Sequence, residues 1–298
     1  MTSSWNEEVH RNDPYEPGPV TVVERKQLAP NIQLLTVHAP VVAAKILPGN
    51  FVIVRADQTS ERTPLTVADW DRQAGTVSCV FMTVGTSTYK LSKLKKGDVV
   101  PTFAGPLGKP FEVETWGDVL LIGGCYGIGI IYPLARALKE KGNRVISVIE
   151  GRSSFLLYWR ERLEAVSDEV VYATKDLSLG DDRDAADVIE GLVKKGVPLQ
   201  RVFVNGCTFL MYHMSQVTKP HGIKTIVSLN PIMIDGTGMC GVCRVSVGGA
   251  TRFACVDGPD FDGHEVDWTE LLQRRKSYLT EEIIPQSTSR CEEHAGNA

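Results

Sequence analysis

The sequence lacks the features that define several classes of protein. It has no long apolar run, since stretches such as 119–122 and 128–132 are far shorter than the roughly 20 residues that cross a bilayer. It has no excess of positive charge, because its formal net charge is −4, so nucleic acid is not an expected partner. Residues 1–16 are polar and lack the apolar centre of a secretory signal, which predicts a cytoplasmic protein.

Two common hydrolase motifs are also missing. Neither Gly-x-Ser-x-Gly nor His-Glu-x-x-His occurs in the chain. Their absence removes the commonest hydrolase signatures, and we predict no side chain to be a catalytic nucleophile, acid or base.

The pattern of secondary structure changes along the 298 residues, a length of about two domains. Residues 18–112 contain short runs of alternating β-branched residues separated by proline and glycine, which predicts an antiparallel β-barrel without a long helix. Residues 113–227 alternate apolar strands with amphipathic helices, which predicts a Rossmann-like α/β domain with a parallel sheet. The predicted flanking segments are an N-terminal extension (1–17), a cysteine module (228–266) and a C-terminal helix and tail (267–298).

The cysteine module contains three of the seven cysteines of the chain. Cys240 and Cys243 form a Cys-x2-Cys pair, and Cys255 follows after eleven residues. Plant-type ferredoxins hold a 2Fe-2S cluster with a Cys-x4-Cys-x2-Cys pattern and a distant fourth cysteine, and here Asp235 stands at the first position. The glycines between these residues allow backbone amides to approach sulfur atoms. The pattern favours a 2Fe-2S cluster. A zinc site and buried, metal-free cysteines are the alternatives.

Two segments of the predicted barrel have residue types that bind flavin phosphates. The first is Arg62-Thr63-Pro64-Leu65-Thr66 at the start of a strand, and the second is the Gly85-Thr86-Ser87-Thr88 segment after another strand. Arginine and hydroxyl groups hold a pyrophosphate, and a Pro-Leu backbone can lie flat against a flavin ring. A surface arginine beside an ordinary turn is the alternative.

A glycine-rich turn between the first strand and helix of the α/β domain predicts a dinucleotide site. Glycine permits the tight turn, and free amides at the helix start attract a pyrophosphate. The second strand ends near Glu150, which favours NADH, and Arg152, which favours the 2′-phosphate of NADPH, so both nucleotides remain possible. The alternative is that this glycine-rich loop is a tight turn that binds no nucleotide. Its glycines are Gly123, Gly124, Gly127 and Gly129.

These segments and their order resemble the ferredoxin-NADP reductase superfamily. Within it, the chain most resembles the small subunit of NADH-dependent reduced ferredoxin:NADP oxidoreductases, also called the sulfide dehydrogenase β subunit. The most specific stretches are 228–244 and 253–259. The resemblance implies FAD in the barrel and NADH at the α/β domain. It also implies a 2Fe-2S cluster held by Asp235, Cys240, Cys243 and Cys255.

The chain also departs from this family in its nucleotide loop. Cys125 stands where the family usually has a third glycine, and Gly129-Ile130 replaces Ala-Pro. Near the expected nicotinamide, the chain has Cys207-Thr208 after Asn205-Gly206, where a Cys-Gly-Pro turn is common in the superfamily. Asp235 matches the electron-bifurcating type of subunit, whereas the dihydroorotate type has cysteine at that position.

The resemblance implies an electron-transfer subunit that exchanges hydride between NADH and FAD. Single electrons then pass through the cluster to a large partner subunit that contains flavin and iron–sulfur centres. The resemblance also implies that the complex carries out electron bifurcation and that ferredoxin is an indirect partner of this chain. Alternative complexes are a hydrogenase, a sulfide or polysulfide reductase, and dihydroorotate dehydrogenase. A redox sensor without enzymatic turnover is the remaining hypothesis.

Overall fold

The computed structural model describes residues 18–180 and 183–277. The predicted N-terminal extension, most of the C-terminal tail with Cys291, and the acidic residues Asp181 and Asp182 therefore lie outside the described residues. No helix of the described part is both long and apolar enough to cross a membrane.

The first half of the chain forms a barrel-like antiparallel sheet of six strands in the order β1-β2-β5-β4-β3-β6. Backbone hydrogen bonds from Val22 N to Asp98 O (2.9 Å) and from Val100 N to Val20 O (2.8 Å) bring the two edges of the sheet together. The predicted barrel is confirmed. Its strands are β1 (Thr21–Ala29), β2 (Ile32–His38), β3 (Phe51–Arg55), β4 (Thr63–Asp71), β5 (Thr76–Met82) and β6 (Thr102–Leu107).

Two helices interrupt the barrel strands, namely α1 (Pro40–Ala43) and α2 (Thr86–Lys93). Both are short, in keeping with the predicted absence of a long helix. The hydroxyl of Thr88 accepts hydrogen bonds from the amides of Val84 (2.9 Å) and Gly85 (3.1 Å), which fixes the turn into α2.

The second half forms a mainly parallel sheet in the order β14-β11-β10-β7-β8-β9, with the antiparallel strand β14 (Asp260–Asp262) at one edge. This order confirms the predicted α/β architecture. The five parallel strands are β7 (Asp118–Gly124), β8 (Arg144–Gly151), β9 (Glu169–Thr174), β10 (Leu199–Asn205) and β11 (Thr225–Ser228). The helices are α3 (Gly127–Glu140), α4 (Arg160–Glu164), α5 (Ala185–Lys194) and α6 (Thr208–Thr218), with 3-10 turns at Ser154–Leu156 and Lys219–His221.

The cysteine module is joined to both sheets. A hairpin of β12 (Arg244–Val247) and β13 (Ala250–Phe253) is followed by β14 (Asp260–Asp262), which pairs antiparallel with β11. Helix α7 (Trp268–Arg275) begins after Asp267, whose side chain accepts a hydrogen bond from Glu270 N. The module thus completes one edge of the parallel sheet.

An ion-pair cluster joins the barrel to the α/β domain on the side of α3. Asp69 at the end of β4 accepts from Arg136 at 3.2 Å and also from Arg162. The guanidinium of Arg162 lies 4.1 Å from the ring centroid of Tyr132 and 4.2 Å from that of Trp159. These contacts tie the end of β4 to two helices of the α/β domain.

Candidate cofactor sites

The candidate cluster ligands form two pairs. The sulfur atoms of Cys243 and Cys255 are 3.2 Å apart, and both residues are buried, at 1% and 3% exposure. Asp235 and Cys240 form the outer pair, in which Cys240 N donates to Asp235 Oδ2 at 2.7 Å. Since a 2Fe-2S cluster contains two irons, each with two protein ligands, two adjacent pairs fit this group.

The same geometry does not suit a single metal ion. Within residues 18–180 and 183–277, no three histidine, cysteine, aspartate or glutamate side chains surround one point at which an ion fits. A structural zinc ion requires four ligands arranged tetrahedrally around one centre. The two adjacent pairs remain the feature that a two-iron cluster would match.

The cluster loop depends on glycines in left-handed backbone conformations. Gly236, Gly238 and Gly241 have φ angles of +79°, +88° and +69°, a region in which side chains are strained. The backbone amide of Gly238 hydrogen-bonds the Cys255 sulfur. Such bonds to cluster sulfur are one way in which a protein adjusts the reduction potential.

The two ligand pairs differ in their electrostatics. Burial, together with the neighbouring Cys243, raises the pKa of the Cys255 thiol to about 12. The Cys240 side chain and the Thr237 amide donate hydrogen bonds that hold the pKa of Asp235 below its usual range. A thiolate at Cys255 consequently needs a compensating positive charge, which ferric ions supply.

The candidate cluster lies against the barrel. Cys243 and Cys255 belong to one apolar core with Phe51 and Ile53 of β3. A Cβ atom on Gly236 would lie 2.8 Å from the Ile53 side chain, so the loop and the strand are in close contact. The candidate cluster residues therefore pack directly against β3 of the barrel.

The candidate flavin residues lie at one side of this barrel. Thr63, Pro64, Leu65 and Thr66 are the first residues of β4, and Arg62 precedes them as an exposed side chain. Lys90 of α2 forms a 2.9 Å ion pair with Asp57, which holds the helix beside the loop that leads to Arg62.

The start of α2 provides the second group of candidate flavin contacts. Gly85 is the N-cap residue, and Ser87 lies in the first helical turn, where backbone amides face a potential anion. The Thr88 hydroxyl also donates to Gly85 O at 3.1 Å, so it already has three backbone partners. Thr88 therefore supports the loop, which leaves Ser87 as the better candidate for direct contact with a phosphate.

The four candidate glycines connect β7 to α3. A Cβ on Gly127 would lie 2.1 Å from Asn205 O, and one on Gly129 would lie 2.8 Å from the Val80 side chain. A Cβ on Gly124 would lie 2.8 Å from Leu210. Close packing within the protein is thus sufficient to require glycine here, in addition to any contact with a nucleotide.

Cys125 takes a left-handed conformation in the same loop, with φ +53°. Its thiol is exposed, and burial of part of the side chain raises its pKa. Tyr158, which is buried, donates to Cys125 O at 3.0 Å and accepts from Gly129 N at 3.0 Å. Tyr158 therefore holds the loop from behind, a role that the sequence pattern did not reveal.

A second tyrosine links the nucleotide loop to the cysteine module. Tyr126 Oη donates to Gly206 O at 2.6 Å and accepts from Asn230 Nδ2 at 2.6 Å. Thr208 Oγ1 donates to Asn230 Oδ1 at 3.0 Å, and Arg275 donates to Asn230 O at 2.7 Å. This network connects α3, α6 and α7, and sequence periodicity gave no signal for it.

Glu150 and Arg152 lie at the end of β8 but differ in their environment. Arg152 is exposed. Burial raises the pKa of Glu150, whose carboxyl group accepts a hydrogen bond from the Ala185 amide at the start of α5. The carboxyl group of Glu150 therefore already has a hydrogen-bond partner within the protein, whereas the Arg152 side chain is exposed and accessible to a ligand.

One cavity is lined by none of these residues. It has a volume of about 650 Å³ and lies between β4 and α3, beside Asp69 and Arg136. A narrower cavity is lined by Thr66, Asn205 and Asp260, and thus joins the candidate flavin strand to the end of β10. Asp260 was not among the residues that the sequence singled out.

Comparison with known proteins agrees with these features. Residues 230–267 match the family model of the iron–sulfur cluster binding domain of dihydroorotate dehydrogenase B. Over 263 residues the chain is 41% identical to a Thermotoga maritima homologue of the electron transfer subunit of that enzyme, covering 88% of this chain and 93% of the relative. The electron transfer subunit of Enterococcus faecalis dihydroorotate dehydrogenase B is 29% identical, covering 83% of this chain and 97% of the relative.

A solved structure extends the comparison to the fold. A chain of the NADH-dependent reduced ferredoxin-NADP oxidoreductase, described in connection with flavin-based electron bifurcation, superposes with a TM-score of 0.85 and 38% identity. The match covers 91% of this chain and 97% of that one. The ferredoxin reductase of carbazole 1,9a-dioxygenase, at 20% identity and a TM-score of 0.59, shares the fold.

The predicted resemblance and the predicted cofactors, FAD, NADH and a 2Fe-2S cluster, are thereby confirmed at the level of the family. The chain belongs to the family of oxidoreductase electron transfer subunits related to that of dihydroorotate dehydrogenase B, with the ferredoxin reductase fold.

Proposed function

We propose that this chain oxidises NADH with a barrel-bound FAD and delivers single electrons through a 2Fe-2S cluster to a larger partner subunit. The partner would contain further flavin and iron–sulfur centres, as in an electron-bifurcating NADH-dependent ferredoxin:NADP oxidoreductase. When bound, FAD accepts the hydride of NADH and releases its two electrons one at a time. The observation that carries this proposal is Asp235, paired with Cys240 beside the buried pair Cys243 and Cys255.

The side chains of this protein would bind and orient the cofactors. Arg62, Thr66, Ser87 and the amides at the start of α2 are the candidate FAD contacts, and Thr63, Pro64 and Leu65 shape the strand beneath the ring. The loop from Gly123 to Gly129 would bind the nucleotide pyrophosphate, with Glu150 and Arg152 near its ribose. These residues act by position and charge, in keeping with the absence of a catalytic acid or base among our candidates.

The first test is anaerobic purification, followed by separate additions of NADH and NADPH without a partner. We expect flavin bands and a 2Fe-2S envelope that bleach faster with NADH. Cofactor bands that respond to neither nucleotide would contradict the proposal and favour a redox sensor.

The aspartate provides a second test. A carboxylate oxygen is a harder donor than a thiolate and should favour ferric iron, which lowers the reduction potential of the cluster. We therefore expect Asp235→Cys to retain the cluster and raise its potential in a redox titration. An unchanged potential and an unchanged spectrum would remove Asp235 from the ligand set.

A dihydroorotate dehydrogenase complex is the alternative that a specific observation favours. Residues 230–267 match the corresponding iron–sulfur domain, although Asp235 departs from the cysteine expected in that type of subunit. Affinity purification from the native cell, followed by identification of the large subunit, separates the two. Recovery of a large subunit that oxidises dihydroorotate would support this alternative over the electron-bifurcating complex.

A further inference from the structure

The carboxyl group of Asp260 lies where the barrel, the parallel sheet and the cysteine module meet. Asp260 is the first residue of β14, and the pairing of β14 with β11 sets it opposite Ser228. It lines the narrow cavity that also contains Thr66 of β4 and Asn205 of β10. Asp260 therefore faces the candidate flavin strand from the side of the parallel sheet.

The same residue also lines a second cavity, of about 260 Å³, on the other side. No ion pair of Asp260 occurs among the residues that the structure describes. Asp260 is thus shared between an inner cavity at the flavin strand and an outer cavity with a charged lining. The other charged residues of the outer cavity are Lys109, Glu112, Arg201, Lys224 and Asp257.

The surroundings of the carboxyl group are crowded. A Cβ on Gly49 would lie 3.1 Å from Asp260 Oδ2 and 2.8 Å from Phe111 N. Burial raises the pKa of Asp260 to about 7, while a hydrogen bond from the Ser228 side chain opposes the rise. A carboxyl group in this state gains and loses a proton near neutral pH, which suits proton transfer.

The proposed function creates a need for such a group. A hydride carries one hydrogen nucleus and two electrons, whereas the cluster accepts electrons alone. For every NADH oxidised, one proton is therefore left at the flavin once both electrons have gone. A protein carboxylate beside the flavin could accept this proton.

We propose that the carboxylate of Asp260 accepts this proton and releases it to water in the outer cavity. The proton left by the hydride would form an O–H bond on Asp260, while the two electrons would pass one at a time through the cluster to two equivalents of a one-electron acceptor. This inference rests on the proposed function for its source of electrons. It assigns Asp260 to the oxidation of the flavin and not to the hydride transfer that precedes it.

The test compares the Asp260→Asn holoprotein with Asp262→Asn, which removes a carboxylate two residues along the same strand. Both are reduced anaerobically with NADH and then reoxidised with ferricyanide in a stopped-flow spectrometer. We expect Asp260→Asn to be reduced at the wild-type rate but reoxidised roughly a hundredfold more slowly. In the wild type and in Asp262→Asn, reoxidation should depend on pH with an apparent pKa near that of Asp260.

Ser228→Ala provides a second variant that keeps the carboxyl group. Loss of the hydroxyl removes a bond that favours the charged form, so the pH profile of reoxidation should move to higher pH. Infrared difference spectra give a readout other than turnover. A protonated carboxyl band should change with flavin oxidation in the wild type and in Asp262→Asn, and be absent in Asp260→Asn.

Equal reoxidation rates and equal pH profiles in Asp260→Asn and the wild type would overturn the assignment of Asp260. Failure of NADH to reduce the wild-type flavin would instead overturn the proposed function. In that case dithionite replaces NADH as the reductant, and the reoxidation experiment still decides whether Asp260 accepts the proton.

Discussion

The nucleotide loop and the cluster loop are both rich in glycine, but they need glycine for different reasons. In the cluster loop, Gly236, Gly238 and Gly241 all have positive φ angles. In the nucleotide loop, Gly127 and Gly129 are required by close contact with Asn205 and Val80, and the left-handed residue is Cys125. Positive φ angles are thus a requirement of the cluster loop, where Gly236 also packs against Ile53, whereas packing alone requires the glycines of the nucleotide loop.

The strongest test of this comparison removes a ligand from the cluster loop. Cys255→Ser should abolish the 2Fe-2S absorption and its electron paramagnetic resonance signal, because the buried sulfur pair loses one member. Cys207→Ser is the matched control, since this exposed cysteine only caps α6 and serine is a good N-cap residue. Retention of a full cluster signal in Cys255→Ser would refute the ligand assignment.

The packing requirement of the nucleotide loop should appear as a large loss of stability. Gly127→Ala places a Cβ 2.1 Å from Asn205 O, so α3 or β10 must shift, at a cost of about 3 kcal/mol. Gly191→Ala in α5 meets no atom within 4 Å and should stabilise the protein by roughly 1 kcal/mol. Urea unfolding measures both, and similar values for the two variants would contradict the packing account.

Asp260, at the meeting point of the two halves, should make stability depend on pH. Between the ordinary aspartate pKa of 3.8 and the raised value of about 7, the folded protein retains a proton that the unfolded chain releases. The free energy of unfolding should therefore fall as pH rises through this window, by at most about 1.4 kcal/mol per pH unit. Urea unfolding of the wild type and of Asp260→Asn measures this contribution as the difference between their free energies of unfolding. A difference that stays constant with pH would exclude the contribution.

Substitutions at residues with left-handed backbone conformations should have the smallest effects on stability. Cys125→Gly relieves the strain at φ +53° and should stabilise the protein by about 1 kcal/mol, with tighter NADH binding. Gly241→Ala introduces similar strain at φ +69° and should cost about 1 kcal/mol while the cluster is retained. Cys125→Ala separates backbone strain from loss of the thiol, because it should leave stability unchanged. Thermal unfolding and NADH titration measure these changes.

Much of the fold could be predicted from the sequence. Alternating β-branched residues indicated the barrel, and apolar strands between helices indicated the parallel sheet. Sequence periodicity does not mark helix α6, because its apolar residues do not keep to one face, as the 68% exposure of Phe209 illustrates. The short strand β14 was missed because three residues carry no detectable period, and only pairing with β11 defines it.

The candidate sites were predictable to different degrees. Cysteine spacing is a direct sequence signal of metal or cluster ligation, so the candidate cluster residues stood out. The roles of Tyr158, Asn230 and Asp260 depend on contacts between residues distant in sequence, for which a single sequence contains no pattern. The FAD and nucleotide contacts stay predictions, and two of the candidate residues, Thr88 and Glu150, already hydrogen-bond within the protein.

The most direct test of the account is electron paramagnetic resonance of the anaerobic chain during reduction by NADH, with the flavin absorbance recorded in parallel. The account predicts that the flavin bleaches first and that the signal of a reduced 2Fe-2S cluster then appears. Bleaching of the flavin without that signal, in protein whose cluster dithionite does reduce, would contradict the proposed path from NADH through FAD to the cluster.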